Sequence, residues 1–200
     1  TWTVGAARCA GAACPAKILG IVPMVPIVPN LQADVHQQAK SYGGLTFAFE
    51  DYDAAGIIEL FDTPRFAELS RTVDPLSYGD RLRSLPTLVV VSSDDEFMQF
   101  DWTAGWPAGP ASRLCIATNS EHSLATAIPE VRDDFSCVAQ TPSPYELSGA
   151  ARQVLSSIAS FIASVGAGEP SRPSFHFDRN ATTGEVTVTV DEPHAHVYLR

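Results

Sequence analysis

Positive charge is scarce in this chain of 200 residues, where 13 Lys and Arg face 23 Asp and Glu for a formal net charge of −10. Such a surface repels polyanions, so nucleic acid and anionic membrane are not expected partners, whereas neutral or cationic ones are. Long apolar runs are also missing. The nearest, "ILGIVPMVPIVP" from Ile18, is broken by Pro23, Pro26 and Pro29 and is shorter than the about 18 residues a spanning helix needs, so no membrane span is expected. The opening "TWTVGAARCAGAACP" lacks a basic, cleavable leader, which puts any targeting segment outside this chain. No C-x-x-C pair occurs among Cys9, Cys14, Cys115 and Cys137, which disfavours zinc and makes disulfides the expectation, with buried free thiols as the alternative. The pairs nearest in sequence are Cys9 with Cys14 and Cys115 with Cys137, but other pairings, or bridges to a further part of the protein, remain open.

What is present suits a globular protein. A hydrophobic content of 45% supports one sizeable core with an appendage. "RNATT" supplies an Asn-x-Thr sequon at Asn180 which, with the even cysteine count, points to a secreted or extracellular glycoprotein.

Along the chain, residues 1–13 are small and apolar, as in a closely packed helix that stops before Pro15. "KILGIVPMVPIV" reads as a strand covered on both faces, leaving its sheet from Pro23 onward. Residues 30–82 are irregular, with short helical pieces such as "DAAGIIELF" and "PRFAELSR", and read as an insertion or cap. "PTLVVVSS" and "RLCIATN" are further buried strands, and "ELSGAARQVLSSIASFIASV" is an amphipathic helix. Strands separated by helical connections predict an α/β parallel sheet over 1–167. From 168 to 200 the pattern alternates with period two around the turn signal "TTGE", which predicts a small antiparallel β appendage.

Chemistry in such sheets collects beyond the carboxyl ends of the strands. Asp94, Asp95 and Glu96 follow one strand, and "SEHSL" puts His122 after the next. An acid and then a histidine on successive loops match the second half of the Ser…Asp…His order of α/β-hydrolases. A neutral serine is a poor nucleophile and needs a base, and the base needs an acid to hold its tautomer. Asp95 and His122 are the candidates, with Asp94 and Glu96 capping the next turn or facing water. Read locally, "SSDDEF" is equally a Ser/Asp cap of a following helix.

The run "IVPMVPIVPNL", then "SYGG", "EDYDAAGI", "DTP", "DPLSYGDRLRSLPTLVVVSSDDEF" and "NSEHSL", resembles the PhoPQ-activated pathogenicity-related protein family over most of residues 1–165. The resemblance implies an α/β-hydrolase fold, of which this chain would be the C-terminal half. It carries the triad acid onto Asp95 and the base onto His122. Where that family writes Gly-Asp-Glu this chain has Asp94 in the glycine's place, an added charge beside the acid. No G-x-S-x-G occurs, and the resemblance puts the family's Ser-Lys-Arg-Gly nucleophile turn a few residues ahead of Thr1. An N-terminal segment of the same protein is therefore the expected partner, completing the sheet and supplying the serine.

Other candidates carry less. Thr1 is a conceivable N-terminal nucleophile, but reads better as a helix residue. His194 and His196 share a strand face near Asp191 and Glu192, yet strand-surface histidines are common, and the acids near Asp101 lack the calcium-loop frame. Tyr42, Tyr52, Trp102 and Trp106 line a groove or fill the underside of the cap. "DPLSYGDRL" reads as a structural turn in which Asp80 and Arg81 tie the loop to the next strand. No metal or other cofactor is expected. Two functions fit: part of a secreted serine hydrolase acting on esters or peptides, or a non-catalytic secreted signalling protein that binds a receptor on the same scaffold.

Overall fold

The computed structural model describes residues 18–26, 30–99, 112–124, 149–167 and 175–191. Within them the chain is a mixed helix and strand protein, with a small parallel sheet and a separate antiparallel hairpin.

Short helices run through residues 31–82. Helix α1 (Leu31–Tyr42) starts at Asn30, whose left-handed backbone (φ 82°) lets its side chain accept from the Ala33 N–H, and ends at Gly43 (φ 76°). Short helices α2 (Glu50–Ala54), α3 (Pro64–Val73) and α4 (Gly79–Leu82) follow, linked by 3₁₀ turns. Thr63 caps α3 on the Phe66 N–H, with Pro64 at the position where a missing N–H costs nothing. Val35, Phe49, Phe61 and Phe66 form the core of this stretch. Asp74 closes it: its carboxylate accepts from the N–H groups of Asn30 (2.9 Å), Leu31 (2.7 Å) and Leu76 (2.8 Å). One buried carboxylate thus ties the start of α1 to the turn before the sheet. In the same turn Asp80 pairs with Arg83 at 3.1 Å, and Arg81 lies 5.6 Å over the Tyr78 ring.

Strand β1 (Thr87–Ser92) is buried at every position and pairs in parallel with β2 (Ser112–Ala117), Val90 opposite Cys115. Residues 18–25 flank its other edge. Ile21 N–H donates to the Pro86 carbonyl, Leu88 N–H to Ile21, Val90 N–H to Pro23, and Val25 N–H to Val90. The regular ladder would add a bond from residue 23 to the Leu88 carbonyl, and proline has no N–H to give. Pairing is therefore reduced to two bridges, Ile21 to Thr87 and Met24 to Val90, yet it continues past Pro23 rather than ending there as the sequence suggests.

Helix α5 (Gly149–Gly166) covers one sheet face. Val154, Ile158, Phe161 and Val165 recur on one side of the helix and meet Leu88, Val90, Cys115 and Ala117. Gly20 makes this closeness possible, because a Cβ there would lie 3.1 Å from both the Phe161 ring and the Pro86 carbonyl oxygen.

Cys115 corrects the disulfide expectation for that residue. It is a buried free thiol, with its Sγ 3.5 Å from the Ser157 hydroxyl, since its strand position aims it into the contact with α5. Cys9, Cys14 and Cys137, like the helix expected over residues 1–13, lie outside the described residues. Strands β3 (Phe175–Arg179) and β4 (Val186–Val190) pair antiparallel, Phe177 opposite Val188. Asn180 N–H donates to the Glu185 carbonyl, and the Asn180 side chain accepts from Thr182 and Thr183 to set the turn.

Candidate functional site

The loops after β1 and β2 stay zipped beyond the strand ends. Ser93 N–H donates to the Ala117 carbonyl at 3.0 Å and Asp94 N–H to that of Ser120 at 3.1 Å. Ser92 Oγ donates to the Glu121 carbonyl at 2.7 Å, and Asn119, left-handed at φ 55°, donates its N–H to Ser93 Oγ at 2.9 Å. Parallel neighbours whose loops are cross-tied hold the residues just past them in a fixed relation. Those residues are Asp95 and His122.

The three consecutive acids occupy three environments. Asp94 is exposed. The Asp95 side chain is only 2% exposed, and both its carboxylate oxygens lie 3.0 Å from His122 Nδ1. Asp95 Oδ1 also accepts the N–H groups of Phe97 (2.9 Å) and Met98 (2.7 Å). The cap-like bonding read from "SSDDEF" and the acid–histidine pairing thus reside in one side chain, although residues 96–99 that follow it are not helical. Glu96 is half-buried, and its Oε2 accepts the backbone N–H of His122 at 3.1 Å.

His122 is 34% exposed at its side chain. A carboxylate can only accept, so Nδ1 carries the proton toward Asp95, and in the neutral imidazole Nε2 keeps its lone pair. Among the described residues Nε2 has no hydrogen-bond partner. An imidazole so held can take a proton from a hydroxyl brought to Nε2 and return it to a leaving group. The Phe97 ring lies 5.3 Å from the imidazole and stacks on Phe49 at 4.9 Å, with Tyr52 edge-on at 5.7 Å. These rings form an aromatic wall on one side of the pair, with Phe49 buried beneath it.

The helical stretch supports the acid loop from beneath. Gln38, fully buried, donates from Nε2 to the Glu96 carbonyl at 3.0 Å and to Thr46 Oγ1 at 2.8 Å. Thr46 donates its hydroxyl to the same carbonyl, and Tyr42 OH donates to the Asp95 carbonyl at 3.3 Å. Tyr42 and Tyr52, read as groove or cap aromatics, therefore brace the acid loop and the wall; Trp102 and Trp106 lie outside the described residues. Sequence reasoning missed Gln38, Thr46, Phe49 and Phe97. Only distant contacts mark them, and no local motif does.

Among the described residues no group of three or more His, Cys, Asp or Glu side chains is placed to hold a metal ion. Glu192, His194 and His196 lie outside them. No helix of the described residues is long and apolar enough to cross a membrane. Asn180 is exposed.

Comparison with known proteins gives two matches. The family of PhoPQ-activated pathogenicity-related proteins matches residues 2–144. Autocrine proliferation repressor protein A of Dictyostelium discoideum is 38% identical over 113 residues, a region that is 54% of this chain and 22% of that relative. The chain thus spans a minor part of the length of the curated relative it matches. No solved structure matches.

Proposed function

The chain belongs to the PhoPQ-activated pathogenicity-related protein family, and from that premise we propose that it contributes the acid and base of a serine hydrolase of the α/β-hydrolase type. The observation that carries this reading is the buried Asp95 carboxylate clasping His122 Nδ1 at 3.0 Å through both oxygens, while Nε2 is free of protein partners among the described residues. The strand order adds support, because acid and base leave the carboxyl ends of adjacent parallel strands.

In this mechanism a serine from sequence ahead of Thr1 attacks an ester or peptide carbonyl. His122 takes the serine proton at Nε2, then gives it to the departing alcohol or amine, and Asp95 stabilises the imidazolium formed between the two transfers. A water activated by His122 in the same way releases the acyl group. The N-terminal segment of the same protein is the proposed partner, completing sheet and triad together.

A fluorophosphonate probe on the full-length protein tests this reading. Covalent labelling of a serine is expected, abolished by His122→Ala and slowed by about 10⁴-fold in Asp95→Asn, where the tautomer is wrong. Folded full-length protein that takes up no label sinks the hydrolase reading and leaves a non-catalytic binding protein on the same scaffold.

A further inference from the structure

A triad histidine is useful only if its ring stays in register with the acid, and Asp95 alone fixes one ring nitrogen and not the backbone that carries the ring. The described residues hold a second clamp. Glu96 Oε2 accepts the His122 N–H at 3.1 Å, so adjacent acids grip one histidine at two points, Asp95 at the ring and Glu96 at the main chain. Glu96 is itself anchored. Its carbonyl takes two donors, Gln38 Nε2 at 3.0 Å and the Thr46 hydroxyl, and these come from α1 and the segment after it, far away in sequence. Gln38 is fully buried, and both its donor bonds end within this network, which leaves it little freedom to turn elsewhere.

We propose that Glu96 is a positioning residue that sets the His122 ring against Asp95, and that Gln38 and Thr46 hold Glu96 in place from the helical stretch. Glu96 bonds to the His122 main chain, while the ring nitrogen bonds to Asp95, so Glu96 acts through the His122 backbone. A charge-assisted bond from a carboxylate to a main-chain N–H is stronger than a neutral one, so this clamp suits a loop that must not drift. Drift of about 1 Å in a catalytic group costs on the order of 10²-fold in rate. The catalytic consequence rests on the hydrolase reading, whereas the geometric one does not.

The test uses full-length protein and two readouts. Proton NMR of the imidazole Nδ1–H held by Asp95 reports ring position without any need for activity, and the fluorophosphonate labelling rate reports its consequence. Glu96→Gln keeps an acceptor at the same reach and should retain the deshielded Nδ1–H signal, with labelling slowed less than tenfold. Glu96→Ala should broaden or lose that signal and slow labelling by about 10²-fold while the fold is retained by near-ultraviolet circular dichroism. Thr46→Val, which removes only a hydroxyl from beneath the Glu96 carbonyl, should shift the signal in the same direction by less. If folded Glu96→Ala and Thr46→Val both keep the wild-type signal, the positioning proposal is overturned and the hydrolase reading stands. If wild type never labels but its Nδ1–H signal still depends on Glu96, the hydrolase reading falls and the clamp survives.

Discussion

At the scale of single residues, carboxylates in this chain are separated by what surrounds them rather than by what they are. Asp74 gathers three main-chain N–H groups and holds two distant segments, Asp95 presents both oxygens to a histidine while Oδ1 also binds its own loop, and exposed Asp94 does neither. Asp62 shows the electrostatic version. Its carboxyl is held below the ordinary aspartate value, first by the hydrogen bond it accepts from Gln32 and then by that it accepts from His36, each at 2.8 Å. A carboxyl lowered in the folded state adds stability above the unfolded-chain value and loses it as pH falls through the folded one. The gain is small because the pair is exposed and screened. Gln32→Leu should therefore move the Asp62 midpoint upward in a carboxyl-carbon NMR pH titration. An unmoved midpoint would show that Gln32 does not hold it.

At the scale of elements, the packing of residues 18–25, β1 and α5 depends on one small residue. A side chain at Gly20 would press on the Phe161 ring and on a main-chain oxygen, and only the ring can give way. Gly20→Ala should therefore lower stability by about 1–3 kcal/mol in urea unfolding. Gly20→Ala combined with Phe161→Leu should be less damaging than the separate costs added together, because the smaller side chain vacates the clash. Simple additivity would place the contact elsewhere. Pro23 shows the reverse dependence: it removes a ladder bond in the middle of the segment that flanks β1, and the pairing survives because bonds to Ile21, Pro23 and Val25 bracket the gap. Sequence reading took the proline as the end of pairing because a missing donor is visible in the sequence, whereas the Pro23 carbonyl still accepts from Val90 and the Val25 N–H still donates to the Val90 carbonyl, a partner far away along the chain.

At the scale of the whole molecule, the β3–β4 hairpin exposes Phe175, Phe177, Val186 and Val188, while its turn presents the sequon at Asn180. The polar turn and the proposed secretory route predict a glycan there. Full-length protein from a eukaryotic secretory host should lose mass on treatment with an amide-cleaving glycosidase, and Asn180→Gln should abolish that loss. An unshifted wild-type protein recovered from the medium would rule the modification out. The strands around the site were legible from continuous apolar runs, and the two residues facing each other across it were legible from their order after successive strands. Local pattern sufficed there because the apolar strands of a parallel sheet leave a strong mark in sequence and because their carboxyl ends lie at one edge.

What surrounds that pair left no such mark. The sequence by itself determined the acidic surface, the α/β character and the nomination of Asp95 and His122. Only the tertiary structure decided that Cys115 is a free thiol under α5, that Glu96 grips the histidine's backbone, and that Gln38, Thr46 and Tyr42 hold the acid loop. The physical reason is range: a strand's burial or a turn's bonding is written within a few neighbouring residues, whereas a buried amide finds its carbonyl only after the chain has closed a loop between them.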